Sequence, residues 1–502
     1  MALPSTLLAV AAAFLMTAAS QAQNLTGFKG CDALIAAGLS DRVYVSTDAE
    51  YGETIKSYWS GTVQALEPWC IVKPVSTEEV SRAVAALSGV SPAGNWDVAL
   101  RSGGHSSWPS NNVARGVTID LSYINATVFR EEEGGGIASI GTGARWASVF
   151  AEVERYGRSV TGGREGNVGV GGLLLGGGVS FYSGKRGFAC DDVVNYEVVL
   201  ADGSVVQASD KENPNLFKAL KGGGNNFGVV TRFDMRAFEQ GNLYGGLLVY
   251  AYDKRAAVFN QFVRLIDINH PEDTELVTLS YTSPGPAPMI AIVAINTDGH
   301  ENSTSFAPLT GVEAVIDERG VKSYGRIITD YQTAGGRRSV WFSFCFQNDI
   351  EVMNHVADEF VSFIDKMENL VPGTNFSLHS TFQPLPKHYV KNIANNVLGL
   401  DQSLGHDSII YLIWISVDTL EQETLFYNKL ASMTAKLEAD IESRGASTSW
   451  KYMNYINPSQ DPIATYGETN VAYLKEVAAQ YDPIGFFQDR VPGGFKISRV
   501  WT

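Results

Sequence analysis

The chain has 502 residues, of which 45% are hydrophobic and 18% charged, a composition typical of a globular protein with two or three domains. Its formal net charge of -16 argues against a surface that binds nucleic acid or an anionic membrane. Four cysteines are too few for a disulfide scaffold. No CxxC or HxxxH spacing occurs, so we expect no metal site.

The N-terminus has the pattern of an export signal. An apolar run begins at Leu7, and the small-x-small sequence Ser20-Gln21-Ala22 that follows it favours cleavage after Ala22. The run is too short to cross a bilayer comfortably, because a spanning helix needs about 20 apolar residues. The alternative is a hydrophobic helix of the mature protein, since no Lys or Arg precedes the run. We predict a signal peptide over residues 1–22, a secreted protein and no membrane span.

Cysteines and sequons also fit an oxidising compartment. Cys31 and Cys70 flank the start of the folded region and could pair, whereas Cys190 and Cys345 stand in apolar contexts typical of buried thiols. Four Asn-x-Ser/Thr sequons would suit glycosylation of a secreted chain; they begin at Asn24, Asn125, Asn302 and Asn375.

Short strands alternate with helices in the first half of the chain. Ser76 is followed by an acidic first turn, which predicts a capped helix, and a second helix is predicted at 145–156. A glycine-dense segment occupies 162–178. The predicted strands are 70–74, which Pro74 ends, 98–100, 117–121, 137–141 and 196–200.

Residues 239–445 change in character and predict an antiparallel sheet with helices on one face. The tail after Trp450 is rich in Tyr, Asn, Gly and Pro, contains one short helix at 470–481, and is expected to pack back onto the first part. The predicted strands are 246–252, 275–282, 289–296, 376–382 and 409–417, and the predicted helices are 254–267, 351–368 and 419–442.

A tight glycine turn follows the strand at 98–100. Consecutive backbone N–H groups in such a turn can form a nest for a pyrophosphate, because glycine permits close approach. The later sequence Gly169-x-Gly171-Gly172 is not a clean G-x-G-x-x-G, and no acidic residue stands at the expected offset, so a nicotinamide-dependent Rossmann enzyme fits poorly. The turn reads Arg101-Ser102-Gly103-Gly104-His105-Ser106.

Six motifs in order resemble the berberine-bridge-enzyme-like branch of the vanillyl-alcohol-oxidase flavoprotein superfamily, particularly its fungal members. The resemblance implies an α+β fold: an FAD-binding domain at 23–238 (core 66–238), an inserted antiparallel-sheet substrate domain at 239–445, and a segment at 446–502 that returns to the FAD-binding domain. The motifs are Pro68-Trp69-Cys70-Ile71-Val72-Lys73-Pro74, the 101–106 turn, Val168-Gly169-Val170-Gly171-Gly172-Leu173-Leu174-Leu175-Gly176-Gly177-Gly178, Lys221-Gly222-Gly223-Gly224-Asn225-Asn226-Phe227-Gly228-Val229-Val230, Tyr452-Met453-Asn454-Tyr455 and Tyr481-Asp482-Pro483.

By this resemblance His105 bonds covalently to the 8α carbon of FAD; the alternative is a histidine that only hydrogen-bonds phosphate or backbone. Relatives with a second tether have a cysteine where this chain has Glu165, so we predict a single tether. Gly163 stands where relatives carry the residue that gates oxygen, which favours an oxidase. The expected cofactor-binding residues are Arg101, Ser102, Gly103, Gly104, His105, Ser106, Gly163, Val168, Gly171, Gly172, Gly177, Gly178, Val193, Val194, Asn454 and Tyr455.

Flavin-dependent oxidation also needs a group that takes the substrate's proton. The strand at 409–414 holds no carboxylate, so we name Tyr411, Tyr452 and Tyr455 as candidate catalytic residues, although each could instead only pack. On strand 376–382, His379 alternates with Ser377 and Thr381, and all three could face the pocket. Candidate aromatic lining residues are Trp108, Tyr123, Tyr182, Phe382, Trp414 and Tyr452.

The resemblance predicts a secreted, monomeric, FAD-linked oxidoreductase that acts on a small specialised metabolite. A hydride would pass to flavin N5, and O2 would then be the electron acceptor. One alternative is a carbohydrate oxidase that forms a lactone. Another is a flavin-carrying protein without redox turnover, such as a cyclase or a binding module.

Overall fold

The computed structural model describes residues 25–91, 94–132, 134–392 and 395–500. The predicted signal peptide and the sequon at Asn24 lie outside this range, whereas the other three sequon asparagines are exposed. No helix within the described residues is long and apolar enough to cross a membrane.

Strands form three main sheets and one small pair. Their bounds are β1 (Val43–Tyr44), β2 (Cys70–Val72), β3 (Asp97–Arg101), β4 (Gly116–Asp120), β5 (Thr127–Arg130), β6 (Ile137–Gly141), β7 (Arg158–Ser159), β8 (Val193–Val199), β9 (Val205–Ser209), β10 (Val229–Arg236), β11 (Phe238–Glu239), β12 (Leu243–Ala251), β13 (Asp273–Thr282), β14 (Met289–Asn296), β15 (Ile316–Asp317), β16 (Gly320–Lys322), β17 (Arg338–Gln347), β18 (Ser377–Leu385), β19 (Ser408–Val417) and β20 (Ser447–Thr448).

Helices cover the sheets and connect them. The α-helices are α1 (Lys29–Leu34), α2 (Ala49–Lys56), α3 (Gly61–Gln64), α4 (Thr77–Val90), α5 (Trp146–Val153), α6 (Val170–Leu175), α7 (Ser183–Arg186), α8 (Pro214–Leu220), α9 (Arg255–Ile268), α10 (Tyr324–Asp330), α11 (Ile350–Leu370), α12 (Leu400–Ser403), α13 (Leu420–Ser443), α14 (Glu468–Tyr481) and α15 (Phe486–Asp489).

The first sheet has the order β1-β2-β4-β3, in which β4 pairs in parallel with both β2 and β3. Helix α4 covers it and begins as predicted, because the Ser76 side chain accepts a hydrogen bond from the Glu79 amide. A disulfide between Cys31 and Cys70 joins α1 to β2. Phe487, from the C-terminal segment, packs in the same core.

The second sheet is antiparallel, with the order β5-β6-β10-β8-β9. Its core includes Tyr196 and Phe233 from the sheet, Trp146 from α5, and Trp450 and Tyr452 from the end of the chain. The free thiol of Cys190 is buried in this core, as predicted. The last part of the chain thus contributes buried side chains to the cores beneath the first and second sheets.

The third sheet is antiparallel, with the order β15-β12-β14-β13-β18-β19-β17-β20, and β16 pairs with β12. Helices α9, α11 and α13 pack on one face, where alternate residues such as Phe342, Phe382 and Ile413 form a separate core. The side chains between them along each strand point to the opposite face of the sheet. Cys345 and Ile410 are examples, and they belong to the core of the second sheet. The sheet is therefore buried on both faces, and the two faces have different neighbours.

The predicted secondary structure is correct for the major elements, with end shifts of a few residues. The largest omission is β17, a central strand that pairs with β19 and β20. The sequence signal for it is a period-two alternation, with Val340, Phe342, Phe344 and Phe346 on the helix-covered face. The prediction also omits β10, the middle strand of the second sheet, and α6, a short helix inside the glycine-dense segment.

Glu275 on β13 is an acidic residue with its side chain in the helix-covered half of the fold, and it is fully buried. No hydrogen bond of ordinary geometry reaches either carboxyl oxygen among the described residues. Burial raises the pKa of Glu275 to about 8, against a smaller lowering effect of the Gln261 amide. The folded protein therefore retains a proton that the unfolded chain releases near pH 4.5, and folding stability falls as the pH rises between those two values.

We expect Glu275→Gln to raise the free energy of unfolding at pH 8 by about 2–4 kcal/mol and to leave it almost unchanged at pH 4. Melting temperatures of both proteins at pH 4, 6 and 8 measure this. Glu197→Gln is the matched control with the opposite sign, because hydrogen bonds from Thr77 and Thr231 and the charge of Arg232 lower the pKa of Glu197 despite its burial. An equal effect of Glu275→Gln at pH 4 and pH 8 would refute the assignment.

Candidate active site

The glycine turn after β3 packs directly against the second glycine segment. A Cβ on Gly103 would lie 2.5 Å from Cα of Gly169, and Gly104 has a φ of +69°, so glycine is required at both positions of the turn. In the part of the chain that the structure describes, no partner is found for the backbone amides of Gly103, Gly104, His105 and Ser106. Consecutive unpaired amides of this kind can act as a nest for an anionic group such as a pyrophosphate.

Two arginines hold the turn in place. Arg145, just before α5, donates from Nη2 to the carbonyl of Gly103 at 2.6 Å and from Nη1 to the carbonyl of Asn167, so it joins the two glycine segments. Arg101, an expected cofactor ligand, is buried and pairs with Asp120 at 3.2 Å. Its role here is to fix the end of β3.

Serine hydroxyls complete this support. Ser102 Oγ donates to the carbonyl of Thr142 at 2.7 Å and accepts a hydrogen bond from the Gly171 amide at 3.2 Å. Ser106 Oγ donates to the carbonyl of Trp108 at 2.9 Å. A Cβ on Gly172 would meet nothing within 4 Å, so Gly172 borders open space.

His105 lies almost fully buried beside these segments. Its ring stacks on Trp59 with centroids 4.9 Å apart, and its Nε2 is buried without a hydrogen-bond partner among the described residues. Burial and the charge of Arg145 lower the pKa of His105 to about 4, so the imidazole is neutral at physiological pH. A neutral imidazole with an unused lone pair is the form able to bond to an electrophilic carbon.

Glu165 and Gly163 lie in the same region. Oε2 of Glu165 is 3.7 Å from Nε2 of His105. A Cβ on Gly163 would lie 2.4 Å from Cδ1 of Trp146. Gly163 is required by this close packing.

The third sheet turns its other face toward His105 and presents aromatic rings. Trp341, Trp414 and His379 are direct neighbours across β17, β19 and β18. Centroids of Trp59 and Trp341 are 5.5 Å apart, those of Trp341 and Trp414 are 6.2 Å apart, and His379 stacks on Trp414 at 3.9 Å. We call Trp59, Trp341, Trp414 and His379 the aromatic cage.

A polar cluster adjoins the aromatic cage. Nη2 of Arg164 donates to Oη of Tyr455 at 2.8 Å and to Oε1 of Gln383, and Oη of Tyr455 itself donates to Oε1 of Gln383 at 3.2 Å. The rings of Tyr455 and Trp341 are 6.4 Å apart. The three polar residues come from the second glycine segment, β18 and the C-terminal segment.

The other two candidate tyrosines have different environments. Tyr452 is buried, and its oxygen accepts hydrogen bonds from the amide of Val179 at 2.8 Å and from Nδ2 of Asn454 at 3.0 Å. Tyr411 lies on the helix-covered face of β19, packed against Phe344 and Phe382. The structure therefore does not bring Tyr411 to the site, because side chains alternate between the two faces of a strand.

Several other expected residues have structural contacts. Val168 accepts a backbone hydrogen bond from Trp146 at 3.1 Å, and Val193 is buried at the start of β8 next to half-buried Val194. Gly177 and Gly178 have φ values of +102° and +87°. Asn454 donates to the carbonyl of Leu173 at 3.1 Å, which joins the C-terminal segment to α6.

Among the expected aromatic lining residues, Trp414 belongs to the aromatic cage, whereas four others do not. Phe382 is on the helix-covered face, Tyr182 packs against Tyr324 in the core of the second sheet, and Tyr123 is 43% exposed. Trp108 packs against Phe495. Large aromatic side chains are mainly core-forming, and their type alone does not identify a pocket.

Arg164, Gln383, Trp59 and Trp341 are not singled out by the sequence analysis. Gln383 continues the alternation of Ser377, His379 and Thr381 by one further step, and that period-two pattern is the signal that could have found it. For Arg164 and Trp59 we see no local signal, since both lie in loops and reach the site only through tertiary packing.

One group of possible metal ligands lies elsewhere. Ligand atoms of His270, Glu272 and Asp273 come within 4.8 Å of one another. The Asp273 carboxylate already accepts hydrogen bonds from the hydroxyls of Ser303 and Ser305, so the group is accounted for as a loop anchor.

Comparison with known proteins agrees with this geometry. Residues 68–209 match the family described as FAD binding domain. The chain is 34% identical over 478 residues to FAD-dependent monooxygenase drtC of Aspergillus calidoustus. The alignment covers 94% of this chain and 90% of that protein.

Solved structures share the fold. A 6-hydroxy-D-nicotine oxidase from Arthrobacter nicotinovorans superposes with a TM-score of 0.72 at 20% identity, covering 93% of this chain and 98% of that one. A structure of berberine bridge enzyme superposes with a TM-score of 0.71 at 15% identity, covering 92% and 98%. The chain thus belongs to the family of FAD-dependent oxidoreductases that includes the fungal proteins called FAD-dependent monooxygenases, and it has the same fold as 6-hydroxy-D-nicotine oxidase and berberine bridge enzyme.

Proposed function

We propose that this protein is a secreted oxidase that holds FAD covalently through His105 and oxidises a small organic metabolite, with O2 as the final electron acceptor. The main support is Nε2 of His105, which is buried and without a hydrogen-bond partner among the described residues, beside the 103–106 turn with its unpaired backbone amides. Export is supported by the signal-like N-terminus, the Cys31–Cys70 disulfide and the exposed sequons.

The residues present fit an FAD group. The nest at 103–106 suits its pyrophosphate, Arg145 keeps the two glycine segments together, and His105 has a free nucleophilic nitrogen. When bound, FAD supplies a two-electron acceptor that receives a hydride. The aromatic cage lies beside His105 and gives an apolar surface on which an organic substrate can stack.

We assign Tyr455 as the group that takes the substrate's proton. A tyrosine takes up a proton only after its hydroxyl has lost its own, and Arg164 places a positive charge next to the Tyr455 oxygen that would then be negative. The amide of Gln383 fixes the direction of the hydroxyl. Tyr452 is assigned a positioning role, because its oxygen already accepts hydrogen bonds from the Val179 amide and Asn454.

Anaerobic mixing with a panel of aromatic alcohols, phenols, amines and oligosaccharides tests the activity. A member of the panel should bleach the yellow protein, and O2 should restore the colour with one hydrogen peroxide per turnover. Incorporation of labelled oxygen into the product instead of peroxide release would identify a monooxygenase and refute the oxidase assignment. Bleaching by oligosaccharides alone would favour the carbohydrate-oxidase alternative.

Glu165 gives a prediction about the bond at His105. An alkylated imidazole is positively charged when its other nitrogen is protonated, and the Glu165 carboxylate at 3.7 Å is near enough to balance that charge. We expect Glu165→Gln to lower the share of flavin that survives acid precipitation by several-fold. Glu438→Gln, which removes an ion pair with Lys451, is the control and should leave that share unchanged. Equal shares in both variants would exclude this role of Glu165.

A further inference from the structure

Arg164 carries a positive charge that no carboxylate of the described residues pairs with. The acceptors of its Nη2, Gln383 and Tyr455, are both neutral. Within the described ranges, no carboxylate oxygen lies within 4.0 Å of its guanidinium, whereas the buried Arg101 pairs with Asp120. Acidic residues outnumber basic ones by 54 to 38 in this chain, so the lack of a partner is not due to a shortage of carboxylates.

A partly buried cation loses part of its hydration, and an opposite charge normally compensates for this loss. Arg164 is half-buried, and its guanidinium lies at the face of the third sheet that is turned toward His105. The compensating negative charge at this position is therefore expected to come from a molecule that enters the site.

Flat apolar surface lies directly beside this charge. Trp59, Trp341 and Trp414 have ring centroids within 6.3 Å of one another. The Trp341 ring also lies 6.4 Å from that of Tyr455, whose oxygen is bonded to Arg164. One small molecule can therefore contact both the indole rings and the guanidinium.

His379 makes the aromatic side of the site neutral. Burial lowers the pKa of His379 to about 4, so the ring is uncharged at physiological pH, and its Nδ1 contacts Oγ of Ser280 at 3.0 Å. Nε1 of Trp341 is buried without a hydrogen-bond partner among the residues that the structure describes, and it remains a donor for a ligand oxygen.

We propose that the substrate of this site is a flat aromatic molecule with an acidic oxygen, either a carboxylate or a phenolate, whose ring stacks in the aromatic cage and whose oxygen binds Arg164. The proposal rests on the proposed flavin-dependent function and specifies its substrate class. Arg164 is then a specificity-determining residue as well as a neighbour of Tyr455.

Binding measurements on the purified, flavin-loaded protein test the proposal without turnover. One set of probes, 2-naphthoate, 2-naphthol and neutral 2-naphthamide, tests the acidic oxygen. A second pair, benzoate and cyclohexanecarboxylate, tests the aromatic ring. Titration calorimetry and flavin difference spectra measure the affinity of each probe. We expect 2-naphthoate or 2-naphthol to bind at least about 10-fold more tightly than 2-naphthamide, since a charge-assisted hydrogen bond contributes that much or more. The stronger of the two identifies the acidic group. Benzoate should also bind more tightly than cyclohexanecarboxylate.

Arg164→Gln should weaken binding of the acidic probe by about 10–100-fold and change 2-naphthamide binding little. Arg326→Gln is the matched control, because Arg326 on α10 is 71% exposed and pairs with Asp330. Equal affinity of the wild type for the acid and the amide, or equal loss in the two variants, would overturn the proposal. If the panel bleaches the yellow protein but the acidic probes bind no better than the amide, the proposed substrate class is wrong and the proposed flavin-dependent function is not. A colourless purified protein would contradict the proposed function itself.

Discussion

A His105→Ala variant should lose all covalently bound flavin. In the wild type, acid precipitation should leave the yellow colour in the pellet, and in the variant the colour should move to the supernatant. The expectation follows from Nε2 of His105, which is buried, neutral and without a partner among the described residues beside the anion nest. The other expected contacts to the cofactor are noncovalent, so the variant should still bind FAD reversibly through the nest at 103–106.

The control for this experiment is His388→Ala. His388 is also partly buried, has a pKa lowered to about 4 by burial, and has no hydrogen-bond partner for either ring nitrogen among the described residues. His388 lies outside the two glycine segments, so the acid-precipitated pellet of the His388→Ala variant should stay yellow. A colourless wild-type pellet would show that no covalent bond forms, and a yellow His105→Ala pellet would place the bond on another residue.

Tyr455→Phe should slow substrate-dependent bleaching by about 100-fold or more, because positioned acid–base groups typically contribute at least this factor. The variant removes only the oxygen that Arg164 and Gln383 contact, so flavin content should not change. Anaerobic stopped-flow bleaching with the first active member of the aromatic panel measures the effect. The dissociation constant of the substrate should change much less than the bleaching rate.

Tyr452→Phe provides the comparison. The buried hydroxyl of Tyr452 accepts a hydrogen bond from the Val179 amide. Loss of that acceptor should lower the free energy of unfolding by about 1–3 kcal/mol. Its bleaching rate should fall less than about 10-fold, since the Tyr452 oxygen does not contact Arg164 or Gln383. A larger rate loss for Tyr452→Phe than for Tyr455→Phe would reverse the assigned roles.

Two assignments from sequence show where local patterns stop being informative. Tyr411 is the polar residue of its predicted strand, yet its side chain lies on the helix-covered face. Leu412 and Trp414 point to the opposite face of the strand, toward the site. Side chains alternate with a period of two, so choosing the wrong parity moves a residue to the opposite face of the sheet. The predicted aromatic lining shows the same limit, because Phe382 lies on the helix-covered face and Tyr182 lies in the core of the second sheet.

The sequence by itself determined the features that depend on neighbours along the chain. These include the glycine turn with His105 after β3, the capped helix after Ser76, and some of the strands in each of the three sheets. Turn geometry, capping and alternation are short-range effects and can be read directly from residue order.

Only the tertiary structure decided which side chains meet. Trp59, Arg164, Gln383 and Tyr455 come from a loop near α3, the second glycine segment, β18 and the C-terminal segment. Their convergence depends on sheet register and on packing between the second and third sheets, which bring together residues separated by up to several hundred positions. No local pattern encodes such contacts, because they form only when the complete chain buries its cores.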